Sequence, residues 1–222
     1  MQSVPEKKVL TSSDIYAQAK EMAKAKRIEH GVRTSDLNVN ALKKILKKEG
    51  VRVDLVTAVG NRIRAAYFSD EDGCSIMLKK SLPQEPKMFA LAHELKHHLM
   101  DRELIEEGKI RCGDYNQNKT IEVAAEVFAA EFIFPEEEMC VFIAGLGIKP
   151  GECTKEQIVE VKRQSPVPIS YIFIQKRLTR MRIIDEEQYK GVQFQKLEES
   201  IYPSLYKQTW FKNYRARKIK GR

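Results

Sequence analysis

Residues 86–99 read PKMFALAHELKHHL, and inside them His93-Glu94-Leu95-Lys96-His97 forms an HExxH motif. Met88, Phe89, Leu91, Ala92, Leu95 and Leu99 recur at helical spacing, and Pro86 suits a first helical turn. Residues four apart on a helix are neighbours, so the two imidazoles can converge on one ion, at about 2.0–2.1 Å for zinc. Glu94 is offset from both and can reach a water beside the ion instead of the ion. Zinc lowers the pKa of such a water to about 7, and a carboxylate beside it can take the proton as the water attacks a carbonyl. Three of the chain's four histidines, His93, His97 and His98, fall within six residues, which argues against a chance match. His98 follows His97 directly and is expected to be a solvated neighbour pointing elsewhere.

A catalytic zinc keeps three protein ligands and one open position, so a third ligand must come from another segment. The best candidate is Glu122, which opens EVAAEVFAAE on the helix expected at about 119–134, before Pro135. Its Ala and Phe residues suit close packing against the first helix. Glu126 lies one turn on and can accept a hydrogen bond from a ligand histidine. Asp101, Glu103, Glu106 and Glu107 are rival third ligands, in a charge-rich stretch that reads as surface.

Around this centre the expected fold is α+β. Helices are expected at about 13–30, with Ser12, Ser13 or Asp14 as cap and Gly31 as stop, and at 39–49, ending at Gly50. Both read as surface helices. Strands at 51–57, 62–68 and 74–79 with short connections predict a small antiparallel sheet. A further helix is expected at 136–144, and from Thr154 the pattern is helical again, broken at Ser165-Pro166-Val167-Pro168. The division into domains is placed at residues 1–150 and 151–222. Hydrophobic residues make up 42% of the 222, enough for a real core. No apolar run approaches the roughly 20 residues that span a bilayer, and the first ten residues lack a secretory apolar segment, so the expectation is a cytoplasmic protein that avoids the membrane. Four cysteines without CxxC spacing argue against a zinc ribbon.

HELKHH followed by EVAAEVFAAEFIFP resembles the ImmA/IrrE family of zinc metallopeptidases, over roughly residues 39–135. The resemblance implies a zincin-like peptidase core, Zn2+ as cofactor, His93, His97 and Glu122 as ligands, and Glu94 as base. Ala124 departs from it, since family members often carry Glu two residues after the ligand glutamate. It also implies a partner helix-turn-helix transcriptional repressor as substrate, in a stress or phage-defence response. Residues 154–184 resemble the winged-helix-like region of relatives, with Arg177-Leu178 near its end.

Two features add to this. The net charge is +8, from 39 basic and 31 acidic residues, and residues 207–222 hold seven basic side chains and no acidic one. There Lys207, Lys212, Arg215, Arg217 and Lys218 interleave with Trp210, Phe211 and Tyr214, a mixture suited to single-stranded DNA as an activating ligand, or to a solvated basic helix docking its aromatics. Between the ligand segments, Arg111-Cys112-Gly113 resembles the cysteine switch of matrix metalloprotease propeptides, making Cys112 a candidate inhibitory zinc ligand. The competing reading is a DNA-binding regulator with a vestigial or structural zinc site. Glu94 speaks against it, because a structural site has no use for a carboxylate there.

Overall fold

The computed structural model describes residues 11–57, 63–110 and 118–203. They form α1 (Ser12–Glu29), α2 (Val39–Lys48), β1 (Val51–Val56), β2 (Ala65–Asp70), β3 (Gly73–Lys79), α3 (Gln84–Lys96), a π-turn (His97–Asp101), α4 (Arg102–Glu106), α5 (Lys119–Ile133), α6 (Glu136–Gly145), α7 (Lys155–Gln164), α8 (Tyr171–Arg180) and α9 (Phe194–Ile201). The class is α+β, and no helix among the described residues is long and apolar enough to cross a membrane.

The chain divides into two compact units, Met1–Cys140 with Pro166–Pro168, and Val141–Ser165 with Ile169–Arg222. The boundary between these units falls inside α6.

In the first unit the cap of α1 is Thr11, one residue before the expected candidates. The Asp14 amide donates to Thr11 Oγ1 at 3.2 Å and the Thr11 amide to Asp14 Oδ2 at 2.9 Å, a reciprocal capping box. These bonds hold the Asp14 carboxyl below its ordinary pKa. α1 is a surface helix that buries one face. Ala19 and Ala23 are buried and share a face with the nearly buried Arg27, and this face packs on α5, whose Ala124, Ala125 and Ala129 are likewise buried. Small residues on both partners let two backbones approach closely. The Arg27 guanidinium then donates to the Phe132 carbonyl at 2.6 Å, to Thr34 Oγ1 at 2.9 Å and to Glu138 at 3.1 Å, which satisfies a charge placed in the interior. Burial lowers its pKa, and Glu138 and Glu131 oppose that shift.

The sheet is mixed, in the order β1-β3-β2, where a purely antiparallel one was expected. β3 pairs antiparallel with β2 (Ala65 opposite Leu78, Asp70 opposite Gly73) and parallel with β1 (Val51 beside Cys74, Val56 beside Lys79). Only the β2–β3 connection is tight: Glu71-Asp72 link the pair, the Asp72 amide donates to Asp70 Oδ1 at 3.0 Å, and Gly73 takes φ +106°. Residues 57–64 between β1 and β2 can reach far beyond the roughly 10 Å needed to pass one strand, so a short connection did not enforce pairing. β3 takes the centre because it is the most apolar strand, with Ile76 and Leu78 fully buried. In β1 only Val51 is buried, and Leu55 is 47% exposed.

The second unit is helical in its described part. Thr154 caps α7 with a capping box to Gln157, and Ser170 caps α8. Tyr171 stacks on Phe194 at 5.2 Å and donates to Glu198 at 2.8 Å, while Arg163 lies 3.8 Å over the Tyr202 ring. These contacts fasten α9 to α7 and α8.

Overpacking the α1–α5 contact tests this assignment. Ala23→Leu is expected to cost about 1–3 kcal/mol, seen as a lower urea midpoint at unchanged slope, where a solvated helix would leave the midpoint in place.

Candidate metal centre

From residue 90 to its end, helix α3 is buried on every side. Residues 90–96 are all buried, including His93, Glu94 and Lys96, so each polar group there must find a partner inside the protein. The π-turn then carries His97 and Asp101 inward, and α5 brings Glu122 alongside. Extra-wide turns of this kind recur at functional sites.

His93 Nε2 lies 3.1 Å from Glu122 Oε2 and 3.2 Å from His97 Nε2, and His97 Nε2 lies 3.7 Å from Glu122 Oε1. Ligands at 2.0–2.1 Å around a tetrahedral ion stand roughly 3.3 Å apart, so the three donors fit one zinc. Two imidazole nitrogens facing each other in the interior are otherwise poorly matched. His97 and Glu122 are each 1% exposed. Burial disfavours a charged His93, but the hydrogen bond to Glu122 and the charges of Glu94, Glu122 and Glu126 outweigh it, and the pKa is raised.

One other cluster among the described residues has ligand spacing, Glu29, His30 and Glu49. Its centre is taken by Lys26, whose Nζ lies 2.9 and 3.0 Å from the Glu49 oxygens and 3.0 Å from Glu29. An ammonium already balances those carboxylates, so the cluster is an ion-pair network.

Glu94 stands beside the triad. The Tyr67 main chain on β2 hydrogen-bonds its carboxylate, while the buried Oε2 has no partner among the described residues. Burial pushes the Glu94 carboxyl above the usual range, and His93 and His97 pull partly against that. An orphaned carboxylate oxygen next to three converging ligand atoms is the arrangement that a base for an attacking water requires.

Two expectations about neighbours change. Asp101, read as surface, is 6% exposed, and its Oδ2 lies 2.7 Å from His97 Nδ1 and 2.6 Å from Lys96 Nζ. An ionised carboxylate only accepts, so His97 Nδ1 donates and Nε2 keeps its lone pair for a metal. Asp101 is therefore the group that orients His97. Its position four residues after His97 was a signal available in the sequence, hidden by the acidic residues around it. His98 is only partly solvated: its Nδ1 lies 3.0 Å from Tyr67 Oη, and burial first, then Arg102, pull its pKa down. Glu126 is half-buried and acts on His93 through its charge. Cys112 and the tail residues Lys207, Trp210, Phe211, Lys212, Tyr214, Arg215, Arg217 and Lys218 lie outside the described residues.

Residues 47–143, which contain all four HExxH and Glu122 positions, match the family model of the IrrE N-terminal-like domain, peptidase M78. The chain carries a domain of the ImmA/IrrE family. Peptidases of this family are typically metal-dependent, in keeping with the donor set on α3 and α5. Among solved structures, a Mycobacterium tuberculosis transcriptional regulator is similar in fold, at 18% identity and a TM-score of 0.51, over 75% of this chain and 47% of that one. The chain thus spans about half the length of that relative. None of the curated proteins matches.

Purified protein is expected to carry about one zinc per chain. His97→Ala and Glu122→Ala should each lose it on dialysis against a chelator that leaves the wild type loaded, read by atomic absorption. Zinc retained at wild-type affinity in Glu122→Ala would place the third ligand elsewhere.

Proposed function

We propose that this ImmA/IrrE-family chain is a zinc-dependent endopeptidase with a zincin-like core that cleaves a partner helix-turn-helix transcriptional repressor. It relieves repression in the cytoplasm during a stress or phage-defence response. The observation that carries the catalytic part is the convergence of His93, His97 and Glu122 with the orphaned Oε2 of Glu94 beside them. A zinc ion bound there supplies a Lewis acid for the scissile carbonyl and a water of lowered pKa. His93, His97 and Glu122 hold it, and Asp101 keeps the His97 ring in register. Glu94, fixed at one oxygen by the Tyr67 main chain, takes the water's proton at the other and delivers it to the leaving amine. The substrate class rests on the resemblance of the HELKHH and EVAAEVFAAEFIFP segments to repressor-cleaving peptidases.

A second reading, a DNA-binding regulator, draws on α8. Ile172, Lys176 and Arg180 lie exposed along one face of it, four residues apart, while Phe173, Ile174, Arg177 and Leu178 are buried. An exposed pair of basic side chains one turn apart, Lys176 and Arg180, suits phosphate contacts. Both activities can reside in one chain, with single-stranded DNA as activator.

Co-expression with a helix-turn-helix protein encoded beside it, read by gel, tests the first reading. Glu94→Gln is expected to keep the zinc and lower the cleavage rate about 10²–10⁴-fold. Cleavage at wild-type rate by the Gln variant would remove Glu94 from the mechanism. Cleavage of short peptides alone would make the protein a general peptidase. For the second reading, Lys176→Glu with Arg180→Glu should weaken DNA binding and lower its salt slope by roughly one for each phosphate that is no longer neutralised. If truncation after Pro203 alone abolishes binding and the α8 pair is silent, the tail is the interface.

A further inference from the structure

Lys96 occupies the position between the motif's Glu94-Leu95 and His97, and it is 1% exposed. A fully buried lysine in the middle of a metal-binding motif calls for an explanation, because burying an ammonium is costly unless it is paired. Its Nζ lies 2.6 Å from Asp101 Oδ2 and 3.3 Å from the Ile121 carbonyl. One contact is with the carboxylate that orients ligand His97, and the other is with the residue preceding ligand Glu122. Lys96 therefore ties the π-turn to α5 at the two points from which the ligands project.

The charges of the pocket give a second, independent argument. Glu94, Asp101 and Glu122 are three carboxylates at 5%, 6% and 1% exposure, and Lys96 is the ammonium among them. Together they leave two negative charges, which a divalent cation cancels. Without Lys96 the same pocket holding a dication would carry an uncompensated buried negative charge. That charge would sit on Asp101, whose Oδ2 receives both Lys96 and His97.

We infer that Lys96 is a positioning residue of the metal centre: through Asp101 it fixes the His97 imidazole with Nε2 facing the ion, and it completes the charge balance of the pocket for a dication. The inference rests on the reading of His93, His97 and Glu122 as the metal site, and the experiment below separates failure of one from failure of the other.

The test is a double-mutant cycle on the full-length protein, read as zinc affinity by competition with a chromophoric chelator and as the visible absorption of the Co2+-substituted protein. Lys96→Met strands Asp101, and Asp101→Asn strands Lys96, so each is expected to weaken zinc about 10- to 100-fold, as loss of a supporting partner does. Lys96→Met/Asp101→Asn strands neither, and the Asn oxygen can still accept from His97 Nδ1. Adding Lys96→Met to Asp101→Asn is therefore expected to strengthen zinc binding, the reverse of its effect in the wild type, and to restore the tetrahedral Co2+ spectrum. A role confined to packing would move the melting temperature and leave zinc affinity and the Co2+ bands in place. Wild-type affinity in Lys96→Met, or losses that add in the double variant, overturn the inference while the metal site stands. If the wild type binds no zinc, the metal reading itself falls, and the inference with it. Should either single variant fail to fold, the double variant decides: zinc bound within about tenfold of wild type supports the inference, and loss of zinc overturns it.

Discussion

A helix that carries five polar or charged residues in a row of buried positions can persist only if those groups answer one another, and α3 with its π-turn meets that condition. His93 meets Glu122, His97 meets Asp101, Asp101 meets Lys96, and Glu94 meets the Tyr67 main chain. The requirement reaches outward from there. It calls for α5 alongside with a carboxylate at Glu122, for β2 close enough to present its backbone, and for the π-turn that brings Asp101 inside. Each neighbouring element supplies a partner that the central helix lacks.

The rest of the first unit holds those partners still. α1 lies on α5 through alanines, and the buried Arg27 grips the carbonyl of Phe132 at the end of α5. Glu131 at the same end accepts from the Glu136 amide and so starts α6. Together these interactions set where α5, and with it Glu122, stands along α3. β3 packs Ile76 and Leu78 inward as the central strand, which leaves β2 at the edge with Tyr67 buried and within reach of both Glu94 and His98.

The second unit is built on a different plan, with capped ten-residue helices and aromatic contacts in place of buried ion pairs. Two of its exposed groups on α8, Lys176 and Arg180, are basic and lie on one face. It provides a surface where the first unit provides an interior site, and the proposed functions divide along that line.

By itself the sequence determined the helices closely, because caps, stop glycines and apolar spacing are local signals. α2, α3 and α5 fall where those signals put them, within a few residues, and α7 and α8 lie on either side of the break at residues 165–168. It also placed His93 and His97 side by side, because an HExxH motif on a helical pattern brings its two imidazoles together whatever surrounds it. Only the tertiary structure decided the order of the strands, since 57–64 is long enough to permit either pairing and the burial of β3 made the choice. Only the tertiary structure separated Asp101 from Glu103, Glu106 and Glu107. In the sequence all four are acidic residues in a charged stretch, and burial, which depends on what packs over them, turned one into the partner of His97 and of Lys96. The same holds for Lys96, which the motif treats as a variable position and which the enclosed helix makes a fixed internal charge.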